Sequence, residues 1–178
     1  MEILTKINWV DVLVVIIMIR TSYIAFQDGL SHEIFPLIST VFIILLSLHY
    51  YEKIAVFISQ NLFPISLPIL NWLSFTFLVI ITAILFKFLK IVLDKIIKVT
   101  WHPLVEKFGG LAAGIVRAAM LTSIVLMIIA LMPLSYLQWS VKDRSLTGMY
   151  FIRIGPSICE TVSRFLPIAK SNIADIEN

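Results

Sequence analysis

Long runs of apolar residues, separated by short polar or charged stretches, dominate the chain. A helix crosses the hydrocarbon of a bilayer with about 20 mostly apolar residues, because every backbone polar group must be satisfied internally there. Four runs are close to this length, at residues 9–26, 34–51, 69–89 and 110–132. The pattern therefore predicts an all-α polytopic membrane protein with about four transmembrane helices in two hairpins.

The ends of these runs carry residues that are typical of helix starts and of the membrane surface. Pro36 falls in the first turn of the second run, where a missing N–H group costs little. All four tryptophans lie at or just beyond the end of a run, where amphipathic rings favour the headgroup region: Trp9, Trp72, Trp101 and Trp139. This agreement supports the four spans independently of the apolar pattern.

Composition points to lipid as the solvent of these runs. Hydrophobic residues make up 60% of the 178 residues, charged residues only 14%, and the mean hydropathy is +0.99. Soluble domains are about 45–50% apolar and about 25% charged. Because a soluble domain of this size could not hide so much apolar surface in one core, the composition argues against a soluble enzyme.

The basic residues indicate topology. The net charge is +3, but the lysines cluster at the ends of apolar runs and not along one face, so no nucleic-acid partner is expected. Basic residues are retained on the cytoplasmic side of a membrane. The end of the third run and the segment that joins it to the fourth hold the densest set: Lys87, Lys90, Lys95, Lys98 and Lys107. Both termini are therefore expected outside the cytoplasm.

Residues that form disulfides or bind metals are scarce. Cys159, the single cysteine, cannot form an internal disulfide, and no cysteine and histidine cluster has metal-ligand spacing. No small-residue cleavage site follows the first run, so the first helix is expected to stay in the protein. Nucleophile elbows, phosphate loops and paired-carboxylate motifs are missing from the sequence as well. We therefore expect no enzymatic activity, no metal and no cofactor.

Two stretches outside the spans have amphipathic patterns. Residues 52–63 place apolar side chains on one face, which predicts a short connector lying in the headgroup plane. Residues 156–167 are bounded by prolines and repeat apolar residues at helical spacing, which predicts a short interfacial helix. The expected domains are a four-helix transmembrane domain at 1–133 and an extracytoplasmic tail at 134–178.

A stripe of small residues runs along the fourth span. Gly110, Gly114 and Ala118 repeat every four residues, a spacing that lets another helix approach closely in lipid. This pattern indicates a helix–helix interface, either within the chain or between subunits. The alternative is coincidence, because further alanines in the same segment blur the stripe.

Arg117 lies about seven residues inside the fourth run, or roughly 10 Å deep. A charged residue within the membrane is a functional candidate, and the alternative is a snorkelling side chain that reaches the headgroups. Arg20 lies near the same face, and both arginines are expected to pair with Asp28 or Glu33 of the first turn. Such a cluster serves either a transport path or, more commonly, packing alone. Asp11 lies half a turn out of phase with Arg20, so these two cannot pair on one helix.

His49, Tyr50 and Tyr51 close the second run in the interfacial zone. An anchoring aromatic cluster is favoured over a histidine ligand, because no second histidine or cysteine lies nearby in sequence. The complete set of candidate functional or packing residues is Asp11, Arg20, Gly29, Glu33, His49, Gly110, Gly114 and Arg117.

Four motifs, one on each of three spans and one in a turn, resemble those of a known family in order and spacing. They are Trp9-Val10-Asp11, residues 29–33, Leu48-His49-Tyr50-Tyr51 and Glu106-Lys107-x-x-Gly110-x-x-x-Gly114-x-x-Arg117-Ala118. Across roughly residues 8–132 the chain resembles the colicin V production protein (CvpA) family. It departs at Asp28 and His32, where the family has basic residues, and at Ala118, where glycine is usual.

The resemblance implies a bacterial inner-membrane protein linked to colicin V production or export and to cell-envelope homeostasis. The small-residue stripe adds an expectation of association with itself or with other membrane proteins in the lipid bilayer. The rival hypothesis is a small channel or transporter subunit acting as an oligomer, with Arg20, Glu33 and Arg117 facing a polar path. Against a monomeric conduit, the centres of the runs are almost wholly apolar.

Overall fold

The computed structural model describes residues 8–61, 66–96, 102–133 and 148–165. The regular structure in these ranges is helical throughout. The helices are α1 Trp9–Asp28, α2 Leu30–Asn61, α3 Leu67–Ile96, α4 Pro103–Leu131 and α5 Gly148–Phe165. The first four are long and apolar enough to cross a membrane. The prediction of an all-α, multi-pass membrane protein with four spans is confirmed.

The described tryptophans lie near helix starts. Trp9 is the first residue of α1, and Trp72 lies in the second turn of α3. Trp101 and Trp139 lie outside the described residues, as does Lys98 of the basic segment. The described part of the tryptophan pattern therefore agrees with the predicted span ends.

A capping box starts α1. The Asn8 side chain accepts a hydrogen bond from the Trp9 backbone N–H at 2.8 Å, and Asp11 Oδ2 accepts one from the Asn8 backbone N–H at 3.0 Å. These contacts satisfy N–H groups that lack partners at a helix start. Asp11 thus has a structural role at the end of the span.

One residue, Gly29, separates α1 from α2. Its φ of +83° lies in the region that side chains other than glycine rarely adopt, and its N–H donates to the Ala25 carbonyl oxygen at 3.0 Å. The chain can therefore reverse within a single residue, which places α1 and α2 side by side.

The second helix is longer than predicted at both ends. It begins at Leu30, so Pro36 is its seventh residue and lies inside the helix, not in its first turn. The predicted connector at 52–63 is also wrong where it is described, because α2 continues without a break to Asn61. Tyr51 and Ala55 remain buried in this extension, so packing holds the helical course beyond the apolar run.

The four long helices form one bundle, in which helices of the first predicted hairpin, α1 and α2, pack on helices of the second, α3 and α4. α2 packs along α3, where the Tyr51 and Phe75 rings meet edge to face with centroids 5.8 Å apart. α1 packs along α4, where Val10 and Val14 contact Leu126. α2 also packs on α4, which therefore lies between α1 and α2, whereas α3 contacts chiefly α2.

The fifth helix starts eight residues before the predicted one. Pro156 was expected to bound a helix at 156–167, but it lies inside α5. Upstream of this proline, Phe151 and Ile152 continue the apolar face and pack on the bundle, which explains the earlier start. Residues 166–178, including the expected end of this helix, lie outside the described residues. The division into domains at 133 and 134 stays a prediction.

Candidate functional site

An ion pair joins α2 to α4. Arg117 Nη1 donates to both carboxylate oxygens of Glu33, at 2.8 Å to Oε1 and 2.7 Å to Oε2. Glu33 lies in the first turn of α2, and Arg117 lies near the middle of α4, 84 residues later in the chain. The sequence predicted that Arg117 pairs with Asp28 or Glu33, and in the structure the partner is Glu33.

This pair is largely shielded from solvent. The side chain of Glu33 is 2% exposed and that of Arg117 is 26% exposed. Taking a carboxylate out of water costs several kcal/mol, and a close guanidinium offsets much of that cost. Arg117 Nε is itself buried without a hydrogen-bond partner among the described residues. Either charge alone would therefore be strongly unfavourable here, and the pair fixes α2 against α4.

Two glycines allow α1 to approach α4 closely. A Cβ atom added to Gly110 would lie 2.5 Å from the Ala25 carbonyl oxygen, and one added to Gly114 would overlap the Ala25 side chain. Ala118, the third member of the stripe, is fully buried. The sequence predicted a helix–helix interface either within the chain or between subunits. In the structure, Gly110 and Gly114 lie at an interface within the chain, between α4 and α1.

Glu106, in the first turn of α4, holds the turn between α1 and α2. Its Oε1 accepts a hydrogen bond from the Ser31 backbone N–H at 3.0 Å. Ser31 is the second residue of α2, so this N–H has no partner within its own helix, and a negative charge is favourable at that end. A Cβ atom on Gly29 would lie 2.7 Å from Glu106 Cγ, so the glutamate packs directly on the glycine.

Glu106 was not among the predicted site residues, although it belongs to one of the motifs that resemble the family. Its partner is a backbone N–H group 75 residues away, which carries no signal in the side-chain pattern. Besides that motif, the sequence shows a glutamate one turn before Gly110, ahead of the predicted fourth span.

Glu33, Glu106 and Arg117 therefore lie around the turn at Gly29, at one end of the bundle. In addition, Glu106 Oε2 and the Ser31 hydroxyl are buried without hydrogen-bond partners among the described residues. In the described part of the chain, no group of three or more His, Cys, Asp and Glu side chains is placed to hold a metal ion. The arrangement is suited to holding three helices in a fixed relation.

Arg20 does not join this cluster. Its side chain is exposed on α1, and no ion pair links it to Asp28 or Glu33 in the described structure, contrary to expectation. Glu33 is already engaged by Arg117, and Asp28 is exposed. The expected four-residue cluster reduces to one pair.

His49 lies some 24 Å along α2 from Glu33, at 1.5 Å per residue. Its ring meets Tyr50 edge to face with centroids 4.6 Å apart, and Lys53 Nζ lies 3.4 Å from its Nε2. Lys53 Nζ also lies 5.6 Å from the centre of the Tyr50 ring. These contacts are typical of an aromatic and basic membrane anchor, the interpretation favoured from the sequence.

Comparison with known proteins identifies a family. The model of a protein family described as colicin V production protein matches residues 10–156. The matched part covers all four spans and the first half of α5. No curated protein and no solved structure matches the chain.

Proposed function

The chain belongs to the colicin V production protein family, and we propose that it is a bacterial inner-membrane protein that supports colicin V production or export and cell-envelope homeostasis. The observation that carries this proposal is the family match across residues 10–156, which includes the whole bundle. The proposed role is non-enzymatic and works through association with itself or with other membrane proteins.

The geometry supports a scaffold that keeps its shape in the membrane. The Arg117 and Glu33 pair fixes α2 on α4, and the glycine contacts fix α1 on α4. Outside this core, α3 exposes most of its apolar side chains, as expected of a helix that faces lipid or another membrane protein. A rigid core with a broad apolar exterior is suited to binding other membrane helices.

Genetic complementation tests the proposal. In a bacterium that secretes colicin V and lacks its own family member, the chain should restore both secretion of active toxin and growth under envelope stress. An Arg117→Leu variant should restore less, whereas Arg20→Leu, the same change at an exposed arginine that forms no ion pair in the described structure, should restore fully. Normal membrane levels without any restored secretion or stress growth would contradict the proposal.

The second candidate is a small channel or transporter subunit acting as an oligomer. The observation in its favour is an exposed, largely polar face on α5, formed by Tyr150, Arg153, Ser157, Glu160 and Thr161. Three hydroxyls of the bundle do not favour it. Ser39, Thr40 and Thr122 each donate to the carbonyl oxygen four residues earlier in their own helix, at 2.8 Å. Flux of ions or small solutes into liposomes that contain the purified protein distinguishes the two candidates.

A further inference from the structure

A basic and aromatic cluster lies on one side of α2, in the second half of the helix. His49 and Tyr50 lie four and three residues before Lys53, a spacing that places all three side chains on the same side. Tyr50 and Lys53 are exposed, and His49 is half-buried. The cluster therefore faces the surroundings of the bundle and is not part of its core.

This cluster lies level with a tryptophan of the neighbouring helix. α3 runs antiparallel to α2, and the Tyr51 ring of α2 meets the Phe75 ring of α3. Lys53 comes two residues after Tyr51 and so lies about 3 Å beyond this contact. Trp72 comes three residues before Phe75 and lies about 4.5 Å beyond it, toward the same end. Because tyrosine and tryptophan rings favour the headgroup region, the cluster lies at the level of the lipid headgroups.

The charge of Lys53 is held in place by uncharged groups. Its Nζ lies 3.4 Å from His49 Nε2 and 5.6 Å from the centre of the Tyr50 ring. An ammonium has three donors and no acceptor, so it can donate to Nε2 only when His49 is neutral. In the described part of the chain, Lys53 forms no ion pair. The neighbouring Glu52 instead accepts a hydrogen bond from the buried Tyr51 hydroxyl at 2.7 Å.

We infer that this cluster binds the phosphate group of an anionic phospholipid. A phosphate oxygen at the headgroup level supplies the counter-charge that Lys53 lacks and accepts from the ammonium donors that His49 leaves open. Hydrogen bonds between two charged groups are stronger than those between neutral ones. Because the histidine and the tyrosine ring already position the ammonium, little side-chain freedom is lost when the phosphate binds.

Inorganic phosphate shares this chemistry, but the surface beside the cluster suits a lipid. Phe42 lies eight residues before Tyr50, on the same side of α2 and further from the headgroup level, and it is 46% exposed. An acyl chain attached to the bound phosphate would cover this ring, whereas a free ion would leave it bare. The inference adds a ligand to the proposed role in toxin export and does not depend on that role.

Native mass spectrometry of the purified full-length protein in a neutral detergent tests the inference. The protein is mixed with equal amounts of phosphatidylglycerol and phosphatidylcholine that carry the same acyl chains, and we expect phosphatidylglycerol to be retained in preference. Lys53→Met should weaken binding of the first phosphatidylglycerol about fivefold, the effect of one lysine near an anionic surface, and leave phosphatidylcholine binding unchanged.

Three further variants show whether the effect belongs to the cluster. Lys53→Arg keeps the charge and should keep the preference. Tyr50→Leu keeps the charge but removes the ring beneath it, so binding should weaken by less than in Lys53→Met. The matched control is Lys87→Met, the same change at an exposed lysine of α3 with no hydrogen bond or cation–π contact to another described residue, which should bind as the unchanged protein does.

Three outcomes overturn the inference. Unchanged binding in Lys53→Met places the lipid elsewhere, and equal weakening in Lys87→Met means that only the total charge attracts it. Displacement of phosphatidylglycerol by inorganic phosphate means that the cluster recognises the free ion and not a lipid. Toxin secretion is not part of this assay, so its outcome is separate from that of the proposed function.

Discussion

Lys90 of α3 donates a hydrogen bond to the carbonyl oxygen of His32 in α2, at 3.4 Å. In an uninterrupted helix, this carbonyl would accept from the N–H group four residues later, but that residue is Pro36, which has none. The lysine supplies the missing donor and links α3 to the start of α2.

The first prediction follows from this relationship. Pro36→Ala should raise the free energy of unfolding by up to about 3 kcal/mol, because alanine restores the N–H group and removes the ring from the helix interior. Lys90→Met should cost about 1 kcal/mol or less in the native background, and nearly nothing beside Pro36→Ala. Thermal unfolding in detergent of the unchanged protein, the two single variants and the double variant measures these differences in stability. An equal cost of Lys90→Met in both backgrounds would show that the two features are independent.

The second prediction concerns the contact between α1 and α4. Gly114→Leu should destabilise the bundle by about 1–3 kcal/mol, because the new side chain would overlap Ala25 and force the helices apart. The matched control is Ala112→Leu, at an exposed position two residues earlier in the same helix, which should change stability little. Thermal aggregation of both variants in the same detergent compares them. Similar behaviour would contradict a close contact at Gly114.

The third prediction concerns the contact between Glu106 and Gly29 in the turn between α1 and α2. Gly29→Ala should be destabilising for two reasons, since its φ of +83° disfavours a side chain and the new Cβ would lie 2.7 Å from Glu106 Cγ. Glu106→Ala removes the second reason and leaves the first. Unfolding measurements on both single variants and the double variant should therefore show that Gly29→Ala costs less beside Glu106→Ala. Additive costs would mean that the contact carries no energy.

The sequence predicted the four spans but not every helix end. The four spans were found because crossing lipid demands long apolar runs, a signal that exists along the chain itself. Two of the errors in helix bounds arose where packing outweighs local signals. Pro156 lies inside α5 because residues on both sides of it pack on the bundle, and α2 continues past Tyr51 because Ala55 is also buried.

The candidate site was predictable only in part, for a related reason. Charged residues are so few in the spans that Arg117 had only two plausible partners nearby, and Glu33 was one of them. Glu106 bonds a backbone N–H group, which every residue except proline carries, so no pattern of side chains reveals its partner. The prediction for Arg20 was wrong, because its position near the same membrane face as Glu33 does not bring the two side chains into contact.

The fourth prediction is the orientation in the membrane. Reporter fusions after Asn61 and after Asn178 should behave as external, and a fusion after Lys98 as cytoplasmic, because the segment between α3 and α4 has the densest lysines. The turn at Gly29 packs on Glu106 and Gly110 at the start of α4, so it should lie on the cytoplasmic side as well. A cytoplasmic signal from the Asn178 fusion would reverse this orientation.

The last prediction separates structure from function at Arg117. Arg117→Leu leaves the Glu33 carboxylate buried without its partner and should cost about 3–5 kcal/mol of stability. Arg117→Lys keeps the charge but loses the planar group that reaches both oxygens, so its effect should be intermediate. The double variant Arg117→Leu with Glu33→Leu removes both charges and should be more stable than Arg117→Leu alone, since two apolar side chains replace the pair.

Membrane levels, unfolding in detergent and growth under envelope stress should be measured for all three variants. If the double variant regains stability but not growth, the pair serves the activity of the protein directly. If it regains both, the pair acts only by holding α2 on α4. Full growth and normal levels of Arg117→Leu itself would remove the pair from the candidate site, because a guanidinium that merely reaches the headgroups can be lost without consequence.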